Sequence, residues 1–433
     1  NNRMELYRVR HAELKKPSRG VKAPGTLIHS KEFENVKYTQ VNKGWVDMYE
    51  EFMAEAKPLA KETNNVKVSA ACIAAAGPIS NNSVTFTNIE PPWHIDGDEL
   101  ERRLGIDTVL LINDFVASGY GILTLNEEKE CRTLQNAPRV PGAPIACLGA
   151  GTGLGQCFLT AENDSDGYAC FASEGGHVDF AARSQLEFDM QQYLKTKFGD
   201  EKRISVERVV SGRGLANIYE FLCQYSETSK LEDKETTKQI EKAAVDNQEG
   251  KVISKNAESD RLCKMTMDLF IEAYGAEAGS CALKFTPLGG LYLSGGLTSK
   301  NMGLIDVVDT VEDGKTTISG AEARQLTIRS HGRFMEGLRD KGRLSSVVRN
   351  IPVYAILDED LGKRGAHYVA VKLLYNNQQS SLSLSSKQEQ SKEEKVGVGK
   401  SDGGASVLSM VSAAALVCTA TLVVATVLRR KQM

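Results

Sequence analysis

The run Gly149-Ala150-Gly151-Thr152-Gly153-Leu154-Gly155 constrains this chain more than any other. It follows the apolar stretch Pro144-Ile145-Ala146-Cys147-Leu148 and leads into Cys157-Phe158-Leu159. It therefore reads as a hairpin turn between two strands, not as a strand-to-helix turn. Glycines at alternate positions let backbone N–H groups approach whatever docks there, because no Cβ stands in the way. Such a nest of N–H groups holds anions, phosphate most often. Gly-rich hairpins also occur without ligands, so alone this run reads equally as structural. Its spacing excludes two alternatives. Leu154 and Gln156 stand where a dinucleotide fingerprint needs its third glycine. Gly314-Lys315-Thr316 has Asp309 where a P-loop needs glycine.

A second run, Ser173-Glu174-Gly175-Gly176-His177-Val178-Asp179-Phe180, puts an acid, two flexible residues and an imidazole within one turn. That set can hydrogen-bond a polyhydroxylated ligand. Val68 to Ala76 is a buried-strand run that stops at Gly77-Pro78. Thr108 to Ile112 is another, and it delivers Asn113-Asp114 at its C-terminal end, where ligands of α/β sheets collect. Asp114 is the best candidate for a base, although an Asn-Asp pair after a strand could equally cap a helix. Gly289 to Gly296 reads as a strand running into a glycine turn and then a helix. Tyr225 to Asp260 reads as helical and charged, with a loop near Gln248-Glu249-Gly250.

The 433 residues suffice for two domains. A net charge of -3, with lysines interleaved among acids, gives no reason to expect a nucleic-acid partner. The nine cysteines form no Cys-x-x-Cys or Cys-x-Cys pair, which argues against a zinc site or a redox motif. A reducing compartment follows as the expectation.

These motifs, in this order, resemble the bacterial-type ATP-dependent glucokinase family of the sugar kinase/actin/chaperone ATPase superfamily. The likeness also takes in Ala76-Gly77-Pro78-Ile79, Val206-Glu207-Arg208-Val209-Val210-Ser211-Gly212, Leu293-Ser294-Gly295-Gly296-Leu297, Ile351-Pro352-Val353-Tyr354 and Gly365-Ala366-His367. It implies a two-domain α/β fold of the actin-like, ribonuclease-H-like type. The smaller domain would be 1–125 completed by 362–375, and the larger 126–361. The resemblance implies phosphorylation of glucose at the 6-hydroxyl, with Asp114 taking the proton and Asn113, Glu174, His177 and Glu207 binding the sugar. It assigns Gly151, Thr152 and Gly153 to a phosphate loop and Gly295 and Gly296 to the surface beneath adenosine. The cofactor would be ATP with Mg²⁺ held by phosphates and water. In isolation Glu207 could as well cap a helix and His177 be a structural histidine.

The family also places an Asp-x-Gly-Gly-Thr turn before the segment that begins at Asn1, for the β/γ-phosphates and Mg²⁺. It does not occur here, and an incomplete or processed N-terminus is expected. Two rival readings follow: a non-catalytic glucose sensor, and a kinase for another hexose. The oligomeric state, a homodimer included, stays open.

Beyond Tyr375 the composition changes. Asn376 to Gly404 is rich in Ser, Gln, Lys and Glu, and is expected to be a flexible linker. Ala405 to Leu428 carries no charge. As a helix it would span ~36 Å, enough for a ~30 Å hydrocarbon core. With the basic tail Arg429 to Met433 it reads as a transmembrane tail anchor. The membrane partner expected is a mitochondrial or plastid outer membrane first and the endoplasmic reticulum second, with the catalytic domain facing the cytosol.

Overall fold

Runs of small and β-branched apolar residues build the strands, and the computed structural model sorts most of them into two main sheets that belong to separate compact units. It describes residues 2–34, 37–38, 44–59, 67–86, 92–162, 167–200, 202–306, 332–397 and 421–428. Unit 1 comprises Asn1–Thr124 and Leu361–Met433, and unit 2 comprises Leu125–Asp360.

Unit 1 holds β1 (Asn2–Val9), β2 (Thr26–Phe33), β3 (Val68–Ala75), a small hairpin of β4 (Ser83–Phe86) and β5 (Trp93–Asp96), and β6 (Val109–Asn113). Its main sheet runs β2-β1-β13-β3-β6, where β13 is Thr421–Leu428. Alternate residues of β3 serve two faces. Ala71, Ile73 and Ala75 share a core with Trp45, Met48 and Phe52 of the helix Gly44–Leu59. Ala70, Cys72 and Ala74 are equally buried and belong to the other face. There the helices Asp114–Ile122 and Leu361–Gly397 pack on the sheet and on each other. Their approach depends on Gly365, where a Cβ would sit 1.6 Å from the Ala117 carbonyl oxygen.

Unit 2 holds β7 (Cys131–Gln135), β8 (Ile145–Ala150), β9 (Leu154–Ala161), β10 (Tyr168–Ser173), β11 (Gly290–Ser294) and β12 (Val353–Ile356), in the order β10-β9-β8-β11-β12-β7. The expected glycine hairpin forms: β8 and β9 are antiparallel, with Gly149 opposite Gly155 and Ala150 opposite Leu154. β11 lies parallel to β8 on the other side, with Ser294 beside Gly149. Ala146, Leu148 and Ala150 pack in one core with Phe270, Tyr274 and Ala278 of the helix Arg261–Phe285. That helix begins where the Asp260 carboxylate accepts from the Cys263 N–H at 2.7 Å. The charged stretch after Tyr225 forms helices Lys234–Ala243 and Glu249–Asn256, broken at Asn247, whose φ is +53°.

Two expectations about the C-terminal region are corrected. Asn376 to Gly397 is not a linker but continues the helix from Leu361. Its Ser, Gln, Lys and Glu cannot form a core, yet extending an existing helix needs no core, since nucleation is the costly step. The segment 398–404 lies outside the described residues. The proposed transmembrane helix fails where it is described. Thr421–Leu428 is a strand, antiparallel to β1 and parallel to β3. Its valines and threonines favour the extended backbone. Residues 405–420 and the basic tail 429–433 lie outside the described residues. Among the described residues no helix is long and apolar enough to cross a membrane.

Candidate active site

In unit 2 the glycine loop follows the C-terminal end of β8, and Gly295 follows that of the neighbouring β11. Within the loop, the Gly151 N–H donates to the Gly153 carbonyl at 2.8 Å. The Gly151 carbonyl accepts from the Gly212 N–H at 2.8 Å, which ties the loop to the start of the helix Gly212–Gln224. A Cβ at Gly151 would meet nothing within 4 Å, and Thr152 is exposed, so this side of the loop is open to a ligand. At Gly295 φ is +89°, and a Cβ would lie 2.4 Å from the Ala150 carbonyl oxygen. Glycine is needed there on both counts. Gly296 begins the short helix Gly296–Lys300. An open face of the loop and a second glycine turn beside it fit a phosphate-bearing ligand.

The acid-imidazole run forms a 3-10 turn, Gly175–His177, on top of β9. A Cβ at Gly176 would fall 2.0 Å from the Leu154 carbonyl oxygen, and one at Gly175 2.1 Å from Gln156 Oε1. Both glycines are therefore steric requirements, not only sources of flexibility. Glu174 and His177 flank them with side chains 66% and 54% exposed, their Oε2 and Nε2 3.8 Å apart. Arg203 donates to the His177 carbonyl at 2.6 Å and holds the turn from outside.

The chain then brings Glu207 to the same place. The Val206 N–H donates to the Val178 carbonyl at 2.9 Å, so the turn Val206–Arg208 runs beside the acid-imidazole turn. Glu207 Oε2 accepts from the Leu154 N–H at 2.8 Å. A Cβ on Gly153 would be 2.4 Å from that oxygen. Glu207 thus caps no helix; it anchors the end of the glycine loop. Unit 2 brings together Glu174, His177, Glu207, Gly151, Thr152, Gly153 and Gly295.

Asn113 and Asp114 belong to unit 1, at the junction of β6 and the helix Asp114–Ile122. The cap is Asn113: its Oδ1 accepts from Phe115 N–H at 2.8 Å and Val116 N–H at 3.2 Å. Its Nδ2 donates to the carbonyl of Gly77 at 3.2 Å, and the glycine itself is needed for a φ of +136°. Asp114 is the first helical residue, and its carbonyl accepts from Ser118 Oγ at 3.1 Å. The helix-capping alternative therefore applies to Asn113. Sequence pattern alone does not single out Gln156, the amide under the acid-imidazole turn, because one Gln in a strand carries no periodic or motif signal.

A family model described as glucokinase matches residues 22–312 and 313–373. A glucokinase of Synechocystis sp. is 40% identical over 370 residues, covering 82% of this chain and 92% of its own. One of Nostoc sp. is 38% identical over 359 residues, covering 80% and 94%. Among solved structures, a glucokinase from an Antarctic psychrotroph aligns with TM-score 0.56 and 23% identity over 80% of this chain and 90% of its own. The glucokinase of Balamuthia mandrillaris, solved in complex with glucose, aligns with TM-score 0.59 and 18% identity over 81% and 87%. The chain belongs to the glucokinase family and is an ATP-dependent kinase acting on glucose. The expected location at a mitochondrial, plastid or endoplasmic reticulum membrane is withdrawn. The Synechocystis and Nostoc relatives are bacterial, and the described part of the supposed anchor is a sheet strand.

Proposed function

We propose that the γ-phosphoryl group of ATP passes to the 6-hydroxyl of glucose, with Asp114 as general base and Glu174, His177, Glu207 and Asn113 as sugar ligands. The carrying observation is the bond between Glu207 and the Leu154 N–H. It joins a sugar-type carboxylate to the end of a phosphate-type loop, so donor and acceptor subsites would share one wall of unit 2. Glu207 keeps Oε1 for a hydroxyl, and Asn113 keeps one N–H beyond its bond to Gly77. Carboxylates and imidazoles accept short hydrogen bonds from adjacent hydroxyls.

In the step itself Asp114 takes the proton from the 6-hydroxyl as that oxygen attacks the γ-phosphorus. The bond from the γ-phosphorus to the β/γ-bridging oxygen breaks, and ADP leaves. Backbone N–H groups of the Gly151–Gly153 loop and the Gly295–Gly296 turn would hold the nucleotide, since the chemistry asks mainly for positioning and charge stabilisation. Mg²⁺, when bound, neutralises phosphate charge and would arrive on the nucleotide with its own waters. Among the described residues no three His, Cys, Asp or Glu side chains converge to hold a metal.

The test is Asp114→Ala assayed with ATP across a panel of hexoses. Turnover is expected to fall ~10²–10⁴-fold with glucose binding retained. Near-normal turnover would remove Asp114 as the base. A preference for another hexose in the unaltered protein would remove glucose as the substrate.

A further inference from the structure

One helix of unit 2 packs on β8 and reaches both the turn after β11 and the amide beneath the acid-imidazole turn. On Arg261–Phe285, Tyr274 and Glu277 stand three residues apart and so share a face. Tyr274 is fully buried, and its hydroxyl lies 2.8 Å from Thr298 Oγ1. Thr298 spends its own proton on the Ser294 carbonyl at 2.7 Å, so the tyrosine donates to it. The ring packs in the same core as Ala150. Tyr274 thereby ties the helix to the turn after β11, beside the strand end that leads into the glycine loop.

Glu277 does the equivalent one turn further on. It is 8% exposed, and its Oε1 accepts from Gln156 Nε2 at 2.8 Å. Gln156 is 1% exposed. With the amide nitrogen committed to Glu277, its oxygen must face the other way, toward Gly175, where a Cβ would lie 2.1 Å from it. The carboxylate therefore sets the orientation of the amide on which the Glu174–His177 turn rests. An acid in such a place is costly, and burial raises the Glu277 carboxyl above the usual range. Without its oxygen the Gln156 N–H₂ would be a buried donor with no acceptor.

We propose that Tyr274 and Glu277 are separate positioning residues, Tyr274 for the nucleotide loops and Glu277 for the sugar turn. The inference rests on the site reading above. Substituting each should therefore move the apparent affinity for one substrate and leave the other alone. A general loss of packing in the helix would move both.

The experiment measures kcat, both KM values and thermal melting for Tyr274→Phe, Glu277→Leu, Glu277→Gln and Glu174→Gln in the full chain. Glu277→Leu is expected to raise the glucose KM about tenfold with the ATP KM unchanged. Glu277→Gln keeps an acceptor oxygen and should restore the glucose KM. Tyr274→Phe should raise the ATP KM severalfold and spare the glucose KM. If Glu277→Leu does not fold, Gln156→Met removes the same bond from the other end and carries the same expectation. The proposal is overturned if Glu277→Leu moves both KM values together, if it moves neither, or if Glu277→Gln is as impaired as Glu277→Leu. Glu174→Gln separates the two levels. If it raises the glucose KM while Glu277→Leu does not, the site stands and the brace falls. If neither variant moves it, the site reading falls and takes the brace with it.

Discussion

Apart from the antiparallel edge strand β7 of unit 2, the two sheets have the same plan and fill its centre differently. In unit 2, β8 is flanked by the antiparallel pair β9-β10 on one side and the parallel strands β11 and β12 on the other. In unit 1, β13 is flanked by the antiparallel pair β1-β2 and the parallel strands β3 and β6. The central strand of unit 2 runs through its glycine loop directly into its neighbour. The central strand of unit 1 comes from the far end of the described chain, and its ladder closes with Leu428 opposite Asn2. Sheet hydrogen bonding accepts a strand from anywhere in the chain, because it needs only extended backbone in register. A phosphate cradle is more demanding. It needs a covalent turn with glycines at set positions, as at the β8–β9 junction.

The largest expected effect separates the two centres. Deleting Thr421–Leu428 leaves β1 and β3 without their shared partner. Unit 1 should lose most of the roughly 5–15 kcal/mol typical of a domain, while unit 2 keeps its own melting transition. Calorimetry of the full chain and the deletion checks this. An unchanged first transition would mean that β13 is not the centre of the unit 1 sheet.

The next effect belongs to unit 2. Gly176→Ala pushes a methyl group toward the Leu154 carbonyl, and the acid-imidazole turn must shift. Displacements near 1 Å in a site cost ~10²-fold in rate. Activity should fall by that order while the melting of unit 1 stays put. Equal damage to both units would mean that they do not melt independently.

The smallest effect is one of pH. In unit 1, His367 is 7% exposed and stacks on Tyr7 with ring centroids 3.7 Å apart, and burial lowers its pKa to about 4. Its unfolded form titrates near 6.5, so acidification favours the unfolded chain. Unit 1 should lose about 2 kcal/mol between pH 6.5 and 5 from this group. Glu277 in unit 2 has the opposite sign. Its carboxyl is raised on folding, so its contribution is full below the ordinary glutamate pKa and is lost as pH rises through the folded value. Melting curves against pH should slope in opposite senses in these contributions. His367→Phe should flatten the first and Glu277→Gln the second. If neither variant changes its slope, other groups govern the acid response.

Much of the site was legible in the sequence because its parts are local. The Gly149–Gly155 hairpin, the strand that delivers Asn113-Asp114 and the turn Glu174–His177 each depend on a few adjacent residues, on glycine's freedom and on strand alternation. Where local signals had two outcomes, the sequence could not choose. Asn113 and not Asp114 caps the helix. Glu207 reads as a surface acid until its partner, the N–H of Leu154 53 residues away, is known. The valine-rich tail is apolar enough for a membrane helix and β-branched enough for a strand.

Local sequence was enough for the glycine hairpin, for the strands ending at Ala75, Asn113 and Ser294, and for naming the groups proposed to meet a sugar and a phosphate, since backbone preference and side-chain chemistry act over a few residues. The tertiary structure alone decided that Thr421–Leu428 lies between β1 and β3, and that Glu277 holds Gln156 across 121 residues. Both are pairings of groups distant in the chain. A strand's free N–H and C=O groups, or a buried amide, specify that a partner must exist but not which one, and only the packed fold supplies it.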